Sequence, residues 1–124
     1  MNAIETQNAP AAIGPYSQAI VVNGLVYTSG QIPINPKTGV IEAEKIEAQT
    51  EQAIANIGEI LKAAGSDFSK VIKTTCFLKN IADFSAFNAI YEKYFIGKPA
   101  RSCVEVSALP KNALVEIEVI AVSN

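Results

Sequence analysis

Residues 18–29 read QAIVVNGLVYTS, and this stretch sets the start of the fold. Two β-rich runs, Gln18 to Val22 and Leu25 to Ser29, flank the pair Asn23-Gly24. Both positions of a tight hairpin turn need a positive φ, which asparagine and glycine tolerate best. The stretch therefore predicts two antiparallel strands joined by a two-residue turn.

After this hairpin the apolar period changes from two to about 3.6. Between Glu44 and Ala64, apolar residues recur at three- and four-residue steps, which predicts a helix of about five turns with one buried stripe. Gly65 stands where a helix commonly ends. The stripe comprises Ile46, Ala53, Ile54, Ile57, Ile60, Leu61 and Ala64.

The second half of the chain repeats the pattern of strand and helix. Val71 to Leu78 is predicted as a strand, and Asp83 as the N-cap of a second helix that ends before Gly97 and Pro99. Its apolar stripe comprises Phe84, Phe87, Ile90, Tyr91, Tyr94 and Phe95. Two final strands are predicted at Arg101 to Val106 and Leu114 to Val122.

The predicted order is thus β-β-α-β-α-β-β, an α+β fold in which one mixed sheet is covered on one face by both helices. The last strand carries apolar residues on both faces, including Leu114, Ile120 and Val122 around its two glutamates. Large exposed apolar surfaces usually mark interfaces, so we expect the second face to meet another subunit.

Length and composition indicate one globular domain over residues 1–124. The net charge of −2 shows no basic excess of the kind that nucleic-acid binders use, and no apolar run is long enough to cross a membrane. No secretory signal opens the chain. With two cysteines, these features predict a cytoplasmic protein with free thiols.

The chain contains no histidine. Ser-His-Asp and Cys-His catalysis are therefore impossible within it, as is a histidine-pair ribonuclease. Two cysteines without histidine do not close a zinc site, and no glycine-rich phosphate loop is present. We expect neither a metal nor a cofactor.

Arg101 is the first candidate for chemistry, because a guanidinium can grip a carboxylate with two parallel hydrogen bonds. The alternative is a salt bridge to a nearby glutamate. Cys103 lies on the same strand face. Two interpretations of it are open: a reactive thiolate beside Arg101, or a buried apolar thiol. Glu116 and Glu118 lie two apart on a strand, so either could orient or deprotonate a water, or simply face solvent.

Three segments together resemble one family. They are residues 11–18 (AAIGPYSQ), 28–33 (TSGQIP) and 99–106 (PARSCVEV), and residues 115–122 (VEIEVIAV) continue the likeness. The chain resembles the RidA family, also called YjgF-like. The resemblance implies a chorismate-mutase-like α+β fold, a homotrimer with ligand sites in clefts between subunits, and no cofactor.

The resemblance further implies hydrolysis of 2-aminoacrylate, 2-iminobutyrate and 2-iminopropionate to 2-keto acids and ammonia. It assigns catalysis to Arg101 and Glu116, with Arg101 holding the substrate carboxylate. Substrate-binding positions fall on Tyr16, Ser29, Gly30, Asn88 and Cys103. Two other interpretations stay open: a trimer that binds small carboxylates without turnover as a regulator, and a translation-inhibitor or endoribonuclease-like role.

Overall fold

The computed structural model describes residues 1–123 and contains one six-stranded sheet with two α-helices. The strands are β1 (Asn2–Ile4), β2 (Ala19–Val22), β3 (Leu25–Thr28), β4 (Val71–Leu78), β5 (Ala100–Glu105) and β6 (Val115–Val122), and the helices are α1 (Ile46–Ala63) and α2 (Phe84–Tyr94). The order across the sheet is β1-β2-β3-β6-β4-β5. All neighbours are antiparallel except β4 and β5, so the sheet is mixed as predicted.

The hairpin at the start of the fold has the predicted turn. Val22 pairs with Leu25, and the two residues between them have φ values of 52° at Asn23 and 76° at Gly24. Both central residues are left-handed, as a turn that matches the twist of the strands requires.

Both helices pack on one face of the sheet and form a single core with it. The apolar stripe of α1, including Ile54, Ile57 and Leu61, is fully buried against residues from β4 and β6. The inward residues of β6 alternate as Val115, Ile117, Val119 and Ala121, all buried. The period-2 and period-3.6 patterns in the sequence therefore meet at this core.

Two details differ from the prediction. The element order is β-β-β-α-β-α-β-β, because residues Asn2–Ile4 pair with β2 as an additional edge strand. The Asp83 side chain makes no capping hydrogen bond; instead the Asn80 side chain accepts one from Ala82 N at the short 3-10 turn that precedes α2. The helix therefore continues from a turn that is already capped.

No helix within residues 1–123 combines the length and apolar character that a bilayer crossing requires.

Candidate active site

Arg101 lies on β5, at the edge of the sheet, under helix α2. It is in parallel register with Thr74 of β4, whose side chain is fully buried on the helix-covered face. A cleft of about 470 Å³ opens between the end of α2 and the start of β5. It is lined by Asn88, Tyr91, Glu92, Phe95, Lys98, Pro99 and Arg101.

The guanidinium of Arg101 is held by α2 from two directions. Its Nη1 donates a hydrogen bond of 2.6 Å to Asn88 Oδ1. Its Cζ lies 4.7 Å from the centre of the Tyr91 ring and 5.4 Å from that of Phe84, which are cation–π distances. Within residues 1–123 its only side-chain hydrogen-bond partner is the Asn88 amide, not a carboxylate. The guanidinium is therefore oriented but not neutralised.

Cys103 lies on the same face of β5, two residues beyond Arg101, and is half-buried. Burial raises the pKa of its thiol, and the opposing effect of Arg101 is smaller. Cys76, in register with it on β4, is buried, and burial raises its pKa to about 12. Because the thiolate is the reactive form of cysteine, the raised pKa of Cys103 argues against a nucleophilic role. Cys103 shares a strand face with Arg101 but is not among the residues that line the Arg101 cleft.

Glu116 lies on β6 and lines a second cleft, of about 540 Å³. Tyr16, Ser29 and Gly30, which the family resemblance assigned to one site with Glu116, line this cleft with it. Ile13, Gln31, Ile32, Pro110 and Lys111 complete most of its wall. The structure therefore brings four of the predicted site residues together here.

Gly30 allows the Glu116 side chain to lie directly on the backbone. A β-carbon at position 30 would overlap Glu116 Oε2 and lie 2.8 Å from Glu116 Cδ. Burial of this carboxyl raises its pKa above the usual range for glutamate, and the negative charge of Glu118 raises it further. A carboxylate with a raised pKa is a stronger proton acceptor than an exposed one.

Ser29 is engaged within the chain. Its hydroxyl donates a 2.6 Å hydrogen bond to Ser17 O, and its backbone N–H donates to Gln18 O. These bonds hold the segment that carries Tyr16 against β3. Because the Ser29 hydroxyl already donates its proton to Ser17 O, it has no proton left to donate to a ligand. The geometry therefore gives Ser29 a role in shaping the cleft wall.

Gln18 is a residue that the sequence did not single out for this cleft. Its buried amide donates to the carbonyls of Ala9 and Pro10, and both donates to Thr6 O and accepts from Thr6 N. It therefore fixes the extended segment before Tyr16. The residues around Gln18 in the sequence carry no signal that distinguishes a buried glutamine at the start of a strand from a solvent-exposed one.

The two clefts lie on opposite faces of the same sheet. Arg101 pairs with Thr74 on the helix-covered face, whereas Glu116 pairs with Phe77, three residues further along β4. Because successive residues of a strand point to opposite faces, Thr74 and Phe77 point in opposite directions. One copy of the chain therefore separates the Arg101 cleft, which Asn88 also lines, from the Glu116 cleft, which Tyr16, Ser29 and Gly30 line.

Comparison with known proteins accounts for nearly the whole chain. The family model described as Endoribonuclease L-PSP matches residues 6–123. The chain belongs to this family, the RidA/YjgF family. The predicted resemblance is thereby confirmed.

Three individual proteins illustrate the RidA/YjgF likeness. A Lactococcus lactis protein named as a regulator, AldR, is 65% identical over 122 residues, which cover 98% of this chain and 97% of that protein. The 2-iminobutanoate/2-iminopropanoate deaminase of Salmonella typhimurium is 50% identical over 123 residues, 96% of this chain and 95% of the deaminase. The structure of Escherichia coli TdcF with bound serine matches with a TM-score of 0.94 at 42% identity, over 100% of both chains.

At these identities the likeness covers fold as well as sequence. The YjgF-like α+β architecture predicted from the sequence is confirmed, with its six strands and two helices. The names of the relatives place the chain among RidA-family proteins that include deaminases and a protein named as a regulator.

Proposed function

We propose that this protein hydrolyses small 2-imino acids, such as 2-iminobutanoate, 2-iminopropanoate and the imine formed from 2-aminoacrylate, to 2-keto acids and ammonia. The Salmonella relative named for this reaction is 50% identical over almost the full length of both chains. Six of the residues that the resemblance assigned to the site support the proposal because they line two clefts, Arg101 and Asn88 in one and Tyr16, Ser29, Gly30 and Glu116 in the other.

The observation that carries the proposal is the state of Arg101. Its guanidinium is oriented by Asn88 and by the Tyr91 ring, yet the described residues offer it no carboxylate partner. A fixed guanidinium at a cleft is suited to clasp the carboxylate of an incoming 2-imino acid with two parallel hydrogen bonds. Such charge-assisted bonds contribute roughly 1.5–3 kcal/mol each and fix the orientation of the substrate.

The proposed chemistry uses one water and a base. The substrate enamine first tautomerises to the imine, and a water then attacks the imine carbon while the Glu116 carboxylate accepts its proton. Glu116 returns that proton to the imine nitrogen, which gives the carbinolamine. The carbinolamine hydroxyl then passes its proton, by way of the same carboxylate, to the amino nitrogen, and the C–N bond breaks as the carbonyl forms and ammonia leaves. General-base assistance of this kind typically contributes about 10²–10⁴ in rate. The backbone at Gly30 and Cys103 would lie near the nitrogen end of the substrate.

Arg101 and Glu116 can act on one substrate only if two copies meet, since one sheet separates them. We therefore propose that the active form is a homotrimer with sites between subunits. The sheet face away from the helices presents Tyr27, Val104 and Val122, each 41–45% exposed, which is an apolar surface for such contacts. In the cytoplasm, where we propose that the protein works, its two cysteines would remain free thiols.

A second candidate is a regulator that binds small carboxylates without turnover. It is favoured by the 65% identity to a protein named as a regulator. The same Arg101 would bind the ligand, so steady-state turnover separates the two candidates. The endoribonuclease role in the family description has less support here, because the chain has no histidine and a net charge of −2.

The deciding experiment measures keto-acid release when the protein is added to a pyridoxal-phosphate enzyme that dehydrates threonine or serine. We expect the wild type to accelerate release above the spontaneous rate, and Arg101→Ala to lower that acceleration about a hundredfold or more, the loss of two charge-assisted bonds. Lys98→Gln is the matched control, since it removes a cation from the same cleft and should retain most activity. An Arg101→Ala protein that works as fast as wild type would falsify the proposal.

A further inference from the structure

The surface on which the Arg101 guanidinium rests is itself tied to the sheet. Tyr91 is only 7% exposed, and its ring lies under the guanidinium at 4.7 Å. The ring stacks on Phe95 at 4.4 Å and lies 5.5 Å from Phe87, so its faces are packed. A contact at the hydroxyl end of Tyr91 would restrain the ring in a further direction, along its own plane.

That contact is a hydrogen bond between two hydroxyl groups. Tyr91 Oη lies 2.8 Å from Thr74 Oγ1, and Thr74 is fully buried. A buried hydroxyl that loses its hydrogen-bond partner is left without water to replace it, which is unfavourable in free energy. The bond therefore resists displacement of the Tyr91 ring. Burial also raises the pKa of Tyr91, which keeps the phenol neutral and able to serve as donor or acceptor.

The register of the sheet places this bond directly beside the arginine. Thr74 of β4 is the cross-strand neighbour of Arg101 on β5. Of these two neighbouring strand residues, Arg101 therefore supplies the guanidinium, and Thr74 holds the Tyr91 ring on which the guanidinium lies. Asn88, three residues before Tyr91 on α2, holds the edge of the same guanidinium at 2.6 Å.

We propose that Thr74 and Tyr91 are positioning residues for the site. Their hydroxyl–hydroxyl bond fixes the ring on which the guanidinium lies, and so sets the direction in which Arg101 presents its free N–H groups to a substrate carboxylate. The inference rests on the proposed function, because it takes the carboxylate of a 2-imino or 2-keto acid as the ligand of Arg101.

The role predicts a defined kinetic signature. A group that only aligns Arg101 acts on a carboxylate that is present in the substrate, the transition state and the product alike. Its loss should therefore weaken binding of all three similarly, raising KM and Kd while kcat stays unchanged. A purely structural role would lower stability without changing the Kd of the molecules that remain folded.

The experiment compares Thr74→Val and Tyr91→Phe, which remove one hydroxyl each, with Thr74→Ser, which keeps the hydroxyl and removes a methyl. Kd for 2-oxobutanoate is measured by calorimetry, and KM and kcat are measured in the coupled assay. We expect the first two variants to raise Kd and KM about three- to tenfold, the range of one neutral hydrogen bond. Thr74→Ser should stay within about twofold of wild type, since its hydroxyl rescues the bond.

Three results would overturn the proposal. They are an unchanged Kd in Tyr91→Phe, a Thr74→Ser protein as weak as Thr74→Val, or a wild type that does not bind the keto acid. If Thr74→Val does not fold, Tyr91→Phe and Thr74→Ser still decide. A wild type that binds the keto acid but hydrolyses no imine would end the proposed function alone, because the comparison of Kd values remains valid.

Discussion

At the scale of single residues, Glu116 shows how its surroundings change the chemistry of a common side chain. The carboxyl lies over Gly30 in a partly closed cleft, with Glu118 two residues away on the same strand face. Both effects disfavour its ionised form. The group is thereby a better proton acceptor than a solvated glutamate, on condition that the pH is high enough to ionise it.

This condition gives a pH prediction. The base is the ionised form, so kcat/KM for imine hydrolysis should fall as the pH decreases through the raised pKa of Glu116. Glu118→Gln removes one cause of that elevation, so the pKa of Glu116 should decrease and the acid limb of the profile should move to lower pH. The measurement is kcat/KM against pH for the two proteins.

Glu44→Gln is the control, because Glu44 is an exposed residue that lines neither the Arg101 nor the Glu116 cleft. Its profile should coincide with that of the wild type. An acid limb that Glu118→Gln leaves in place, or moves to higher pH, would remove Glu116 from the role of base.

At the scale of elements, helix α1 ends just before Gly65, as the sequence predicted, and the structure shows how this glycine terminates the helix. Gly65 has a φ of 77°, and its N–H donates to Lys62 O while Ser66 N donates to Leu61 O. This pair of bonds is the Schellman motif, which satisfies carbonyls at the end of a helix and needs a left-handed residue. The turn then directs the chain back toward β4.

We expect Gly65→Ala to lower the free energy of unfolding by about 1 kcal/mol, because a β-carbon is unfavourable in the left-handed region. Gly65→Asn is the matched control and should cost less, since asparagine tolerates this conformation better than alanine does. Urea unfolding followed by circular dichroism measures both. Equal stability of wild type and Gly65→Ala would contradict this account of the helix end.

The elements found from sequence were those with a period or a turn signal inside a short window. The Asn23-Gly24 hairpin, the α1 stripe and strand β4 are examples. Strand β1 was missed because three residues are too few to show alternation, and only pairing with β2 defines it.

Relations within the site were less accessible from the sequence. The Thr74–Tyr91 bond joins residues 17 apart, on a strand and a helix. The separation of Arg101 from Glu116 depends on β5 and β6 both pairing with β4, which strand prediction alone does not give. Candidate residues could thus be named from the sequence, whereas their arrangement on two faces required the sheet order.

At the scale of the whole molecule, the two clefts make assembly part of the proposed mechanism. In a ring of identical copies, the Arg101 cleft of each subunit would face the Glu116 cleft of the next, which is a head-to-tail contact. Each active site would then draw its carboxylate clasp and its base from different chains.

This arrangement predicts complementation between two inactive variants. Arg101→Ala and Glu116→Gln should each have little activity alone, but their mixed trimers should recover roughly a third of wild-type activity, because one of the three sites in each mixed ring combines an intact Arg101 with an intact Glu116. Differently tagged copies allow mixed assemblies to be purified and assayed, with light scattering to confirm their size. The double variant Arg101→Ala/Glu116→Gln co-expressed with Glu116→Gln is the control and should recover nothing. Mixed trimers without activity would show that each site belongs to one chain.

The sheet that divides Arg101 from Glu116 also has a consequence for newly made protein. On the proposed mechanism, a solitary chain would be fully folded and yet catalytically silent, with its anion clasp and its base facing away from each other. Catalytic activity would arise only when subunits associate. The onset of deamination during synthesis would therefore depend on the second or third power of the concentration of folded chains, rather than on the rate of folding.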